Sequence, residues 1–360
     1  MTADEARSSR TDHSALPIAE LGFCAGAGYL SACTAGLPTA ATARAMRAFV
    51  DEWAAGRADA RALGEQADRC RELFAGLAGV ASDRVALGSQ VSQLVAVVAS
   101  SVPDGAEVIC ATGDFSSLTH PFEQLAHRGV RVRYAPVARL ADEVGPDTAL
   151  VAFSLVQSAS GEVADAEAIR ISAERVGART LVDLTQSLGW LPVGAAAFDF
   201  TVCHAYKWLC APRGTAFLTV RAGLEDELVP MAAGWYSADD VWSSCYAGHT
   251  PLAAGAGRFD VSPAWPVLGG TEAALRDLAS LDPTAVHAHD LGLANAARRV
   301  LGLPAGDSAI VTWADPDGRD LAALTAGGIT ASGRAGNARI AFHLWNTTDD
   351  VELLARALGR

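Results

Sequence analysis

Between residues 84 and 220 the chain alternates short apolar runs with stretches of helical period, and no other feature constrains its fold so strongly. RVALGSQ, EVICAT, VRVRYAP, TALVAFSLV, RTLVDLT, FDFTVCHA and GTAFLTV read as strands. Between them lie SQLVAVVASSV, FEQLAHRG and ADAEAIRISAERVG, which read as helices. Strands of this kind, joined by amphipathic helices, build a mixed, mostly parallel sheet sandwiched by helices. We place this large α/β domain at residues 40–220, beginning with the helical segments TARAMRAFVDEWAAG and RCRELFAGLAGV. Residues 1–39 read as an N-terminal tail and arm. Their first part, MTADEARSSRTDHSAL, lacks the apolar centre of a signal peptide and is expected to be a flexible tail.

After GLEDELVP the periodicity breaks. Residues 234–270 are rich in Gly, Trp, Pro and Ser and are expected to form long ordered loops, with Trp235, Tyr236, Trp242 and Trp265 shaping a substrate pocket. From about residue 271 a helix, the strands SAIVTWA and ARIAFHLW, and a terminal helix DDVELLARAL follow. They suggest a smaller C-terminal α+β domain over 221–360. The formal net charge of −13 argues against nucleic acid, whose phosphates need a basic face. No run reaches the ~18 apolar residues of a membrane span. The seven cysteines are odd in number and contain no CxxC, so neither disulfides nor a metal site are expected. These features describe a soluble, cytoplasmic protein.

The basic residues carry a sharper signal. Of 28 lysines and arginines, 27 are arginine, and the one lysine is Lys207, in TVCHAYKWLCAPRG. An amine can lose its proton and attack a carbonyl to form a Schiff base, which a guanidinium essentially cannot do. Lys207 follows a strand and sits among Tyr206, Trp208 and Leu209, where desolvation would lower its pKa. An aldehyde cofactor acting as an electron sink, such as pyridoxal phosphate, also needs a carboxylate at its ring nitrogen. Asp183 ends the preceding strand, and ligands of open α/β sheets bind at such carboxyl ends. Gln186 is placed to donate to the ring oxygen. The turn Gly88–Ser89–Gln90–Val91 offers amides at a helix N-terminus for a phosphate, with His204 and Tyr206 as further contacts. Phe115 or His120 could cover a ring face.

Taken together, GSQVSQL, DFSSLTHPF, VDLTQSLGWLPV, HAYKWLCAPRGTAFL and RIAFHLWNTTDDVELL resemble a fold-type-I pyridoxal-phosphate enzyme of the class V aminotransferase superfamily, the group of kynureninases, cysteine desulfurases and isopenicillin-N-epimerase-like proteins. The resemblance runs from YLSACTAGLPT to the C-terminus. It implies that Lys207 forms the internal aldimine, Asp183 pairs with the ring nitrogen and Gln186 contacts the ring hydroxyl. It further implies that Phe115 stacks on the ring, Ser158 lies near the cofactor and Tyr206 contacts the phosphate. Ser262, in RFDVSPAW, resembles the residue a neighbouring subunit donates to that phosphate, which implies a homodimer with shared sites. Arg339 resembles the arginine that grips the substrate α-carboxylate, with Trp345 where the family carries tyrosine.

The resemblance leaves the reaction open. Lys207 is the natural proton shuttle at Cα. A persulfide route needs a cysteine on a loop of the small domain, and none follows Cys245. An epimerase needs a second acid or base on the opposite face, for which Tyr236, His120 and His343 are the available groups. An aminotransferase must bind a second amino donor. One carboxylate-binding arginine and an aromatic-rich loop suit a bulky amino acid, so the reading favours a lyase acting at Cβ, by C–S elimination or a kynureninase-like cleavage.

Overall fold

The computed structural model describes residues 16–360, so nearly all of the expected N-terminal tail lies outside the described residues. Seven strands form the large sheet: β1 (Val85–Gly88), β2 (Glu107–Ala111), β3 (Arg131–Ala135), β4 (Thr148–Ser154), β5 (Arg179–Asp183), β6 (Phe200–His204) and β7 (Ala216–Val220). Their order is β1-β7-β6-β5-β4-β2-β3. β7 runs antiparallel to both neighbours, and the other pairings are parallel. All seven expected strands are present.

Alternate side chains of each strand enter different cores, which is why these runs are apolar throughout. Val108 and Cys110 of β2, with Leu181 of β5, face the core beneath the helix Val91–Ser100. Ile109, Ala111 and Val182 face the other core, with Ala67, Phe74 and Leu275 from the helices Ala60–Ala78 and Trp265–Ala279. There Phe74 stacks on Phe217 of β7, with ring centroids 4.0 Å apart.

A second sheet has the order β8-β10-β9, from β8 (Ile310–Ala314), β9 (Ser332–Arg334) and β10 (Asn337–Ala341), all antiparallel. The helices Pro283–Leu301 and Thr348–Ala357 cover it with Leu293, Ala297, Val351 and Leu354. Past residue 220 the chain stays on the large sheet for some distance. Leu224, Leu228, Ala256 and Phe259 join the core beneath the Val91–Ser100 helix.

One helix begins earlier than expected, at Trp265 rather than near residue 271. Gly269 and Gly270 suggest a loop in sequence, but Gly270 serves close packing. A Cβ built there would come within 2.6 Å of Pro212 Cγ and 2.7 Å of Met46 Sδ. Among the described residues, no helix is long and apolar enough to cross a membrane.

Candidate active site

Lys207 lies just past the carboxyl end of β6, in a loop held from several directions. The Gly36 amide donates to the Tyr206 carbonyl at 2.8 Å, and a Cβ at Gly36 would meet the Lys207 carbonyl oxygen at 2.0 Å. Gly189, at φ +114°, presses nearly as close on Trp208, where a Cβ would sit 2.4 Å from its carbonyl oxygen. That same carbonyl accepts from His343 Nε2 at 2.9 Å, while His343 Nδ1 meets Asp290 at 2.7 Å. Burial opposes a charge on His343, but the Asp290 carboxylate outweighs it and raises the histidine pKa. The segment that carries the amine is therefore fixed by backbone packing and one buried ionic contact.

Lys207 is only 6% exposed, and its ammonium makes no hydrogen bond or ion pair among the described residues. Burial lowers its pKa to about 8, against the attraction of Asp183. The amine opens into a cavity of ≈ 780 Å³ whose wall includes Phe115, Ser158, Tyr206 and Arg339. Phe115 is 49% exposed, with its ring centroid 5.5 Å from Lys207 Nζ. The segment expected to be an arm contributes Cys33, Thr34 and Gly36 to the same wall.

Asp183 is buried at the end of β5, and its Oδ1 accepts from the Thr185 amide at 2.8 Å. Burial raises its carboxyl to about 6 against the hydrogen bonds from Thr185. Gln186 is fixed at both ends. Its Oε1 accepts from Trp208 Nε1 at 2.9 Å, and its Nε2 donates to the Cys33 carbonyl and to Ser158 Oγ, each at 2.9 Å. Ser158 links this cluster to Arg339, whose NH1 reaches its hydroxyl at 3.2 Å and also its carbonyl. Nε and NH2 of Arg339 donate to Ser332 and Thr34 at 3.0 and 3.1 Å. The guanidinium is 1% exposed, burial lowers its pKa, and no carboxylate among the described residues pairs with it. A buried, uncompensated cation on a cavity wall is a receptor for an anion.

Other expected residues lie further off. Ser89, Gln90 and Val91 stand at the same carboxyl edge, after β1, but outside the cavity wall, and the Ser89 amide is turned toward Gln93 Oε1 at 3.3 Å. His204 is buried and meets Tyr206 edge-on at 4.4 Å. Its Nε2 has no partner, and burial, with Arg213 and Lys207, lowers its pKa to about 4. Ser262 is exposed and away from the cavity. The aromatic residues expected to shape the pocket do not line it. Trp235, Tyr236 and Trp242 pack together, with Tyr236 and Trp242 against Gly64 of the Ala60–Ala78 helix. Trp265 begins its own helix.

Sequence reasoning passed over Thr34, Ser332, Asp114 and the role of Trp208. Asp114 accepts from the Ser154 amide at 2.7 Å and from Gln157 Nε2 at 3.1 Å, bracing the end of β4. The indole beside the lysine was visible as a flank, but its bond to Gln186 depends on two separate turns meeting.

An aldehyde cofactor bearing a phosphate fits these groups. A buried amine of lowered pKa, an exposed aromatic residue, a buried carboxylate and an unpartnered imidazole nitrogen converge on one sheet edge. On this seven-stranded sheet they define a pyridoxal-phosphate enzyme of fold type I. The chain belongs to the class V aminotransferase family, which is pyridoxal-phosphate dependent: the family model "Aminotransferase class-V" matches residues 29–313.

Among curated relatives, isopenicillin N epimerase of Amycolatopsis lactamdurans is 33% identical over 184 residues, 46% of each chain. A probable cysteine desulfurase of Methanothermobacter thermautotrophicus is 30% identical over 188 residues, 49% of this chain and 47% of its own. Kynureninase of Pseudomonas fluorescens is 27% identical over 217 residues, 55% of this chain and 52% of its own. The chain thus spans about half the length of the curated relatives it matches. The solved complex of the cystine C–S lyase C-DES with cysteine persulfide superposes with TM-score 0.83, covering 93% of this chain and 98% of that one. At 20% identity this likeness concerns the fold.

Proposed function

We propose that the protein is a lyase that takes an α-amino acid and breaks a bond at Cβ. The observation that carries this reading is one buried amine of lowered pKa, Lys207, sharing a cavity wall with the buried, uncompensated Arg339. Bound pyridoxal phosphate supplies an electron sink that weakens the bonds at the substrate Cα. Lys207 would hold the cofactor aldehyde until the substrate amine displaces it, and the freed amine would then take the Cα proton. Arg339 grips the α-carboxylate with two nitrogens. Asp183 would pair with the ring nitrogen, Gln186 and Ser158, already bonded to each other, would lie by the ring oxygen, and Phe115 would cover a ring face. His204, Tyr206 and the amides of Ser89, Gln90 and Val91 would receive the phosphate, the Ser89 amide exchanging Gln93 Oε1 for it.

An epimerase has less support, because none of its candidate second bases faces the cavity. Tyr236 and His120 lie elsewhere, and both nitrogens of His343 are engaged. Besides Lys207 and the arginines, the titratable groups on the wall are Tyr206, Cys33 and Cys210, and burial raises the pKa of the first two. An aminotransferase remains the second reading.

The exposed Ser262 supports a homodimer in which it reaches the neighbouring cofactor phosphate. All seven cysteines are unpaired, which supports a cytoplasmic location. The lyase reading is tested by incubating the holoenzyme with S-substituted cysteines and no keto-acid acceptor. Ammonia and keto acid in equal amounts are expected. Product that forms only after an acceptor is added would replace the lyase with the aminotransferase.

A further inference from the structure

The chain carries 41 acidic residues against 28 basic ones, yet the cavity wall reverses that balance. Arg47, Arg213, Arg334 and Arg339 line it together with Lys207, and no aspartate or glutamate does. Elsewhere arginines find carboxylates, as Arg71 finds Asp260, Arg133 finds Glu143 and Arg258 finds Asp226. None of the four at the cavity does so among the described residues. One guanidinium suffices for an α-carboxylate, and Arg339 is the buried one that is built for it.

The surplus lies on two walls. Arg334, on β9, stands on the same small sheet as Arg339. Arg47 and Arg213 come from the helix Ala40–Ala54 and from the loop that follows Lys207. Their neighbours Met46 and Pro212 both lie within 3 Å of a Cβ built at Gly270, so the two arginines leave adjacent points of the fold. Arg213 is held over the Tyr206 ring, with Cζ 5.1 Å from the centroid. Both side chains are exposed, as suits the outer part of a site that a substrate enters.

We propose that Arg47 and Arg213 form a second anion subsite, and that the substrate is an amino acid whose side chain ends in an acidic group. This rests on the amino-acid reading above and adds the substrate class. With the α-carboxylate on Arg339 and the reacting carbons at Lys207, a side-chain carboxylate or sulfonate reaches the wall of Arg47 and Arg213. Guanidinium forks match either oxyanion.

The test uses the holoenzyme with three probes of similar length: S-ethyl-L-cysteine, S-(2-carboxyethyl)-L-cysteine and S-(2-sulfoethyl)-L-cysteine. Affinity is read from the absorbance change of the bound cofactor, and separately from thermal stabilisation of the cofactor-free protein. The carboxylate or the sulfonate is expected to bind at least about tenfold more tightly than the ethyl probe, the size of one charge-assisted contact. In the Arg47→Gln/Arg213→Gln double variant that preference should collapse, while the cofactor dissociation constant stays unchanged. The relative affinities of the two anionic probes show which oxyanion the subsite takes. Equal binding of all three probes overturns the inference and leaves the lyase reading intact. Loss of cofactor affinity in Arg213→Gln with probe preference unchanged also overturns it, by assigning Arg213 to the cofactor phosphate. Ligand preference does not depend on turnover, so an acidic-probe preference without ammonia release would count against the lyase alone.

Discussion

Trp208 Nε1 donates to Gln186 Oε1 at 2.9 Å, and this bond decides which end of the amide faces the site. With its oxygen occupied, Gln186 turns its NH2 to Ser158 Oγ and to the Cys33 carbonyl. Trp208→Phe keeps the aromatic packing but removes the donor, leaving a buried oxygen unsatisfied at a cost of about 1–3 kcal/mol. The variant should melt at a lower temperature, and the absorbance of its bound cofactor should titrate differently with pH. A spectrum and pH profile identical to wild type would show that this bond does not orient Gln186.

Arg339 is the expected carboxylate receptor, and its three nitrogens are already aimed by Ser158, Ser332 and Thr34. Arg339→Gln should raise KM by roughly 10- to 100-fold, the loss expected for hydrogen bonds to a charged group. An amine or amide of similar size cannot restore the planar fork, so Arg339→Lys should recover little. Steady-state kinetics with a single amino acid substrate checks this, and an unchanged KM would place the carboxylate elsewhere.

Burial brings Lys207 from 10.5 to about 8. Between those values the unfolded chain binds a proton that the folded chain has lost, so the stability of the cofactor-free protein rises with pH across the window. Below pH 8 the buried charge costs up to about 3 kcal/mol. Lys207→Met should therefore stabilise the cofactor-free protein against urea at pH 7, and much less at pH 10.5. Equal stabilities of variant and wild type at pH 7 would contradict a strained amine.

Counting cysteines by position argued against a persulfide route, yet the fold brings Cys33 and Cys210 to the cavity wall. Burial raises the Cys33 thiol, which keeps it neutral and a poor nucleophile. Cys33→Ser should retain ammonia release from S-substituted cysteines. With free L-cysteine as substrate, alanine and an enzyme persulfide formed by the wild type and lost in Cys33→Ser would reopen the persulfide route.

The stack of Phe74 on Phe217 pins the Ala60–Ala78 helix to β7. Phe74→Ala should destabilise the protein by about 3–5 kcal/mol, as large-to-small changes in a packed core do. Denaturant unfolding reads this directly, and a loss below 1 kcal/mol would mean the core relaxes around the gap.

The large sheet was legible because its strands are buried on both faces, which writes continuous apolar runs into the sequence. The start of the Trp265–Ala279 helix was not, because Gly269 and Gly270 carry a loop's composition for a packing reason. Lys207 stood out by its rarity and Asp183 by its charge at a strand end. Thr34 gave no such sign, since it meets Arg339 across 305 residues of sequence. His343 reads in sequence as a candidate catalytic base, but its partners Asp290 and Trp208 lie 53 and 135 residues away, and only the fold shows that it holds the lysine loop. Contacts of that kind have no period to read.

Lys207 is the proposed covalent anchor of pyridoxal phosphate. As the chain has a single lysine, borohydride reduction of the protein loaded with cofactor, followed by trypsin and mass spectrometry, tests it in one step. The prediction is one phosphopyridoxyl group per chain, on an uncut peptide running from Thr180 to Arg213. A protein that stays colourless with added cofactor, or a peptide cleaved after an unmodified Lys207, would contradict it.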